Sequence, residues 1–95
     1  MITTIMYHKV QDFKKWKTAF DGFSKIRKSA GEKTFSVGNL HNEPNTAYVV
    51  NTWDSLEDCL AFQNAPQLAE AMKAAGVLEP PTAIILNEIE KGSVQ

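Results

Sequence analysis

His8 and His41 are the only two histidines in the chain, and histidine is the side chain whose ordinary pKa places its charge change near neutral pH. Acid/base chemistry near neutral pH would rest on them. His8 lies in the run Met6-Tyr7-His8-Lys9-Val10, and in an extended chain it shares a face with Met6 and Val10. If Val10 packs beneath a helix, the His8 ring points into the space under that helix, where it can act as general base or hydrogen-bond donor. The competing reading is a ring that bonds a backbone carbonyl at a strand end. His41 is expected near a hairpin turn at the end of the sheet, where it is a candidate substrate contact. Two imidazoles with no third Cys, His or carboxylate at ligand spacing make a poor metal site, so no metal is expected.

Asn51, Trp53 and Tyr7 are the other candidates for contacting a substrate. An amide in a central strand must find partners when buried, and can offer a spare one to a ligand. For Trp53 and Trp16 the alternative is plain core packing, since large aromatics dominate small cores. Cys59 falls among Leu60 and Phe62 with no histidine beside it, which favours packing over nucleophilic attack. The chain has no Gly-rich phosphate loop and no nucleophile elbow.

The elements that must position these residues belong to one domain, because 95 residues cannot build two separate cores. The domain is expected over residues 1–90, with 91–95 a loose tail. A net charge of −1 gives no general attraction for nucleic acid or anionic membrane. The lysines of the first helix, Lys14 to Lys28, read as a solvated face, because the aromatics there point inward. A single cysteine excludes an intrachain disulfide, and the N-terminus has no signal-peptide pattern. The expectation is a mature cytoplasmic protein with no membrane segment.

Ile2 to Val10 reads as a strand, being rich in Ile, Thr, Tyr and Val without Gly or Pro. Asp12 is placed to cap a helix running from Phe13 to Ala30, whose inner face carries Phe13, Trp16, Phe20 and Phe23. Gly31 supplies its left-handed end. Lys33 to His41 and Ala47 to Trp53 form a hairpin around Asn42-Glu43-Pro44-Asn45. Ser55 caps a second helix with Leu56, Leu60 and Phe62 inward, and Pro66 splits it, so that a further piece runs from Gln67 to Ala75 before Gly76. Thr82 to Ile89 is the last strand.

The order βαββαβ, with right-handed crossovers, selects an α+β ferredoxin-like sandwich: a four-stranded antiparallel sheet with the helices on one face and the first and third strands central. Several strands carry apolar residues in both parity classes, such as Ile5 and Met6, Val49 and Val50, Ile84 and Ile85. The face without helices would be a large apolar patch on a monomer, so a homodimer through the sheet faces is expected.

The spacing His8-x-Val10-x-Asp12-Phe13-x-x-Trp16-Lys17-x-x-Phe20, with Ala30-Gly31, Trp53-Asp54-Ser55-Leu56-Glu57, Phe62, Pro66, Ala75-Gly76-Val77 and Pro80-Pro81, resembles the small dimeric α+β-barrel proteins related to antibiotic biosynthesis monooxygenases, some of them labelled cyclase-like. The resemblance implies a pocket between sheet and helices in each subunit. It also implies a metal-free and flavin-free monooxygenase, cyclase or isomerase acting on an apolar aromatic or polyketide-like molecule, with no cofactor, His8 as the acid/base, Asn51 and Tyr7 orienting the substrate and Trp53 shaping the wall. The alternative is a non-catalytic dimeric ligand-binding or stress-associated module. Haem-degrading relatives carry a segment similar to Trp53-Asp54-Ser55 followed by a histidine on the later helix. Here the matching region, Ala71-Met72, has none, so haem degradation is not expected unless Met72 ligates instead.

Overall fold

A computed structural model describes residues 1–95. The strands are β1 (Ile2–Lys9), β2 (Glu32–Leu40), β3 (Glu43–Trp53) and β4 (Thr82–Asn87), and the helices are α1 (Phe13–Gly22), α2 (Ser24–Ala30), α3 (Leu56–Gln63) and α4 (Pro66–Ala74). The strands form one antiparallel sheet in the order β2-β3-β1-β4, the ferredoxin-like arrangement with β1 and β3 central. No helix is long and apolar enough to cross a membrane.

The pleat sorts side chains between the two sheet faces. Across β1 and β3, Ile2 pairs with Trp53, Thr4 with Asn51, Met6 with Val49 and His8 with Ala47. This set lies under the helices, and Val10, Ala47, Val49 and Trp53 are buried there. The other set includes Ile5, Tyr7, Tyr48, Val50, Ile84 and Leu86, and no helix covers it.

Caps formed where local chemistry placed them. Asp12 accepts from the Lys14 N–H and Ser55 from the Asp58 N–H. Gly31 ends α2 at φ +111°, and a methyl there would lie 2.7 Å from Asp58 Oδ2. Gly31→Ala is therefore expected to cost about 1–3 kcal/mol, read from the urea midpoint. A change under a few tenths would show that α3 yields to the methyl.

Three boundaries and one helix face differ from the sequence reading. The first helix is two helices, broken at Phe23 (φ −90°, ψ 3°), directly after the weak helix former Gly22. The Phe20 carbonyl at this break accepts from Arg27 Nη1 at 2.9 Å, which stabilises the junction. The hairpin turns at His41-Asn42, because Asn45 is held elsewhere: its carbonyl accepts from Val10 N at 2.8 Å and its side chain from Phe13 N at 3.1 Å. On α3 the buried residues are Cys59 and Phe62, one turn apart, while Leu56 and Leu60 are exposed. The last strand stops at Asn87, and residues 88–95 have no regular secondary structure.

Candidate functional site

β1 turns the His8 side chain under α1, as its parity with Val10 predicts, and the imidazole is 2% exposed. Neither ring nitrogen has a hydrogen-bond partner. Buried polar atoms are normally satisfied, and each one left alone costs about 1–3 kcal/mol. His8 is thus not the carbonyl-bonded strand-end histidine of the competing reading. Its ring meets the edge of Trp16 at 5.7 Å between centroids, and Trp16 stacks on Phe20 at 5.3 Å.

The imidazole borders a cavity of about 80 Å³ between sheet and helices. Eleven of its fourteen lining residues are hydrophobic, which leaves His8, Arg27 and Asn51 as the polar ones. Met6 and Val49 form the floor, on paired strand positions. Asn51 pairs with Thr4 and His8 with Ala47, so four residues of strand, about 13 Å, separate the two polar positions. They bracket the cavity from opposite ends.

Asn51 is the centre of a buried polar network. Its Oδ1 accepts from Thr4 Oγ1 and, at 3.3 Å, from the Trp53 indole N–H. Its Nδ2 donates to Glu32 Oε2 at 2.7 Å. Glu32 Oε1 lies 3.0 Å from Arg27 Nε, with both side chains nearly fully buried; this N–H is not aimed at the oxygen, so the contact is ionic rather than a directed hydrogen bond. The guanidinium also lies 3.6 Å from the centre of the Phe20 ring and 5.0 Å from that of Phe35, a cation–π arrangement. One amide N–H of Asn51 remains beyond this network for a ligand.

The other sequence candidates lie elsewhere. Tyr7 points to the uncovered sheet face and is 40% exposed, because adjacent strand residues face opposite ways, so it does not reach the cavity. His41 is exposed at the hairpin turn. Trp53 is buried against Phe62 at 5.4 Å, where it holds Asn51 rather than forming the cavity wall. Cys59 is fully buried and its thiol pKa is raised by burial, as befits a packing residue. Sequence reasoning missed Arg27 and Glu32. The available signal was that Arg27 falls four residues after Phe23 on the inward stripe of the helix, away from the lysine face.

Burial lowers the His8 pKa below its ordinary value, and the negative charge of Glu79 offsets part of the effect. The ring is neutral at pH 7 and able to accept a proton. In the unfolded chain the imidazole takes up a proton near pH 6.5 while the native ring resists it. Protonation of His8 therefore takes nothing from stability above about pH 6.5, and stability falls as the pH drops below that toward the native pKa. Urea titrations from pH 7.5 to 5 should show this decline, and His8→Phe should flatten it. Equal slopes in both proteins would assign the decline to other groups.

No protein-family model matches the chain, and no curated protein sequence does. Solved structures do. A Nitrosomonas europaea protein provisionally named an antibiotic biosynthesis monooxygenase superposes with a TM-score of 0.70 at 18% identity, over 95% of this chain and 100% of its own. A similarly named Bordetella bronchiseptica protein gives 0.76 at 16% identity over 94% and 97%. SnoaB, a cofactor-independent oxygenase from Streptomyces nogalater, gives 0.74 at 12% identity over 95% and 94%. At such identities the likeness is one of fold, and the chain has the α+β fold of the antibiotic biosynthesis monooxygenase-like proteins.

Proposed function

We propose that this chain is a cofactor-independent oxygenase acting on a small apolar phenol of aromatic or polyketide-like type. The observation that carries the reading is His8, a buried imidazole with two unpartnered nitrogens on the wall of an apolar cavity. Neutral His8 takes the phenolic proton. The resulting phenolate is electron-rich and passes one electron to dioxygen, and the two radicals combine at ring carbon to form a peroxide. The proton on His8 returns to the peroxide, whose O–O bond breaks as the ring carbon loses its hydrogen. Phenol and O2 thus become quinone and water, with the substrate supplying every electron. Asn51 and Arg27 border the far end of the cavity, where they orient an oxygen on the substrate. The likeness of fold to SnoaB supports this chemistry over cyclisation or isomerisation.

The test is oxygen uptake with a panel of one- to three-ring phenols and anthrones, beside anaerobic binding of the same compounds. Consumption of one O2 per quinone formed supports the reading. Binding without oxygen consumption favours the second reading, a ligand-binding module, for which the small cavity volume speaks.

The uncovered sheet face is assigned to a second copy of the chain, because Ile5, Tyr48, Val50, Ile84 and Leu86 make a continuous apolar surface there. Sedimentation at micromolar concentration should give a dimer, and Ile84→Lys with Val50→Glu a folded monomer. A wild-type monomer would remove the assignment. The unbridged Cys59 supports a reducing, cytoplasmic setting.

A further inference from the structure

A second cavity, of about 210 Å³, lies between α2 and the α3–α4 pair, and Ile26, Ala30, Ala61 and Ala65 line it. It shares three wall residues with the His8 cavity: Phe23, Phe62 and Leu68. These three side chains separate the two spaces, and the Phe23 and Phe62 rings meet at 6.2 Å in a tilted pair.

The partition hangs on the two helix junctions. Phe23 is the residue at which α1 ends and α2 begins, and its N–H is shared between the carbonyls of Ala19 and Phe20, each at 3.2 Å. Leu68 lies in the first turn of α4, just after the break at Asn64-Ala65. Neither α2 nor α4 has a side-chain cap on its first turn. Other walls of the inner cavity are tied more firmly, the floor by the β1–β3 ladder and the far end by the Asn51–Glu32–Arg27 network. The Arg27 bond to the Phe20 carbonyl holds the backbone of the α1–α2 break, so an opening between the two spaces needs the Phe23 ring to turn and the uncapped first turn of α4 to shift Leu68.

We propose that the outer cavity is the vestibule through which a small apolar ligand reaches His8, and that Phe23, Phe62 and Leu68 are its gate. This rests on the reading of the inner cavity as the ligand site. The gate also sets specificity: a flat ring slips between the two phenyl rings once Phe23 turns, whereas a bulky branched molecule is held outside.

The test does not depend on knowing the ligand. Trp16 lines the inner cavity, and in a Trp53→Phe background it is the sole tryptophan. Acrylamide quenching of Trp16 then reports passage of a small neutral molecule. Phe23→Ala should raise the quenching rate constant about fivefold, and Ala61→Phe, at an exposed position facing the vestibule, should lower it about threefold and suppress the rise when combined. Quenching that ignores Ala61→Phe would overturn the vestibule, and quenching that ignores Phe23→Ala would overturn the gate. Phe23→Leu and unchanged circular dichroism guard against loss of fold. Equilibrium binding of 2-naphthol, read separately, tests the inner site. Failure of 2-naphthol to bind, with quenching as expected, sinks the ligand-site reading and leaves the route. Binding with unresponsive quenching sinks the route alone.

Discussion

Replacing His8 with phenylalanine is expected to abolish oxygenation, by about 10²–10⁴-fold in kcat/KM, while leaving the protein as stable as wild type or more so. The two effects have one cause. The imidazole is buried with neither nitrogen bonded, a state that disfavours folding and is removed by an apolar ring of similar shape. A group that destabilises the fold is expected where function needs it. The measurement is a paired one, oxygen uptake with the best phenol of the panel and urea unfolding at pH 7.5. Loss of stability by several kcal/mol would mark His8 as a packing residue, and full activity in the variant would move the proton acceptor elsewhere.

Arg27→Ala is expected to cost about 3–5 kcal/mol, because it leaves the Glu32 carboxylate buried without its counter-charge. For a domain whose total stability is on the order of 5–15 kcal/mol, this is a severe loss. The arginine also supports the Phe20 carbonyl at the α1–α2 break and the aromatic pair Phe20 and Phe35. Combining Arg27→Met with Glu32→Gln removes both charges and keeps an acceptor for Asn51 Nδ2, so the double variant should regain most of the loss. Denaturant midpoints of the two single variants, the pair and the wild type give the coupling directly. A cost below about 1 kcal/mol for Arg27→Ala would mean that water reaches Glu32 and that the ion pair is effectively a surface one.

Much of the fold was legible because it follows from local rules. The caps at Asp12 and Ser55, the break at Pro66 and the left-handed ends at Gly31 and Gly76 act within a few residues. They locate helices without any knowledge of the rest of the chain. The alternation of β1 put His8 on the same face as Val10, and the burial of Val10 in the structure shows that this face lies beneath the helices. The same parity placed Tyr7 on the other face, and pairing these neighbours in one pocket contradicted the pleat. The Phe23 break was less visible, since the apolar spacing continues through it and only Gly22 hints at a stop.

By itself the sequence determined the element order and the apolar character of both sheet faces, because periodicity and capping are properties of short segments, while the face that the helices cover, and with it the side of His8, was settled by packing. Only the tertiary structure decided what His8 lacks and what Asn51 touches. Thr4, Glu32, Asn51 and Arg27 come from β1, β2, β3 and α2, and their meeting depends on strand register and on the angle at which α2 leaves Phe23. The two cavities arise in the same way, from the gap that two broken helices leave when they are laid across one twisted sheet, and no local pattern encodes a gap.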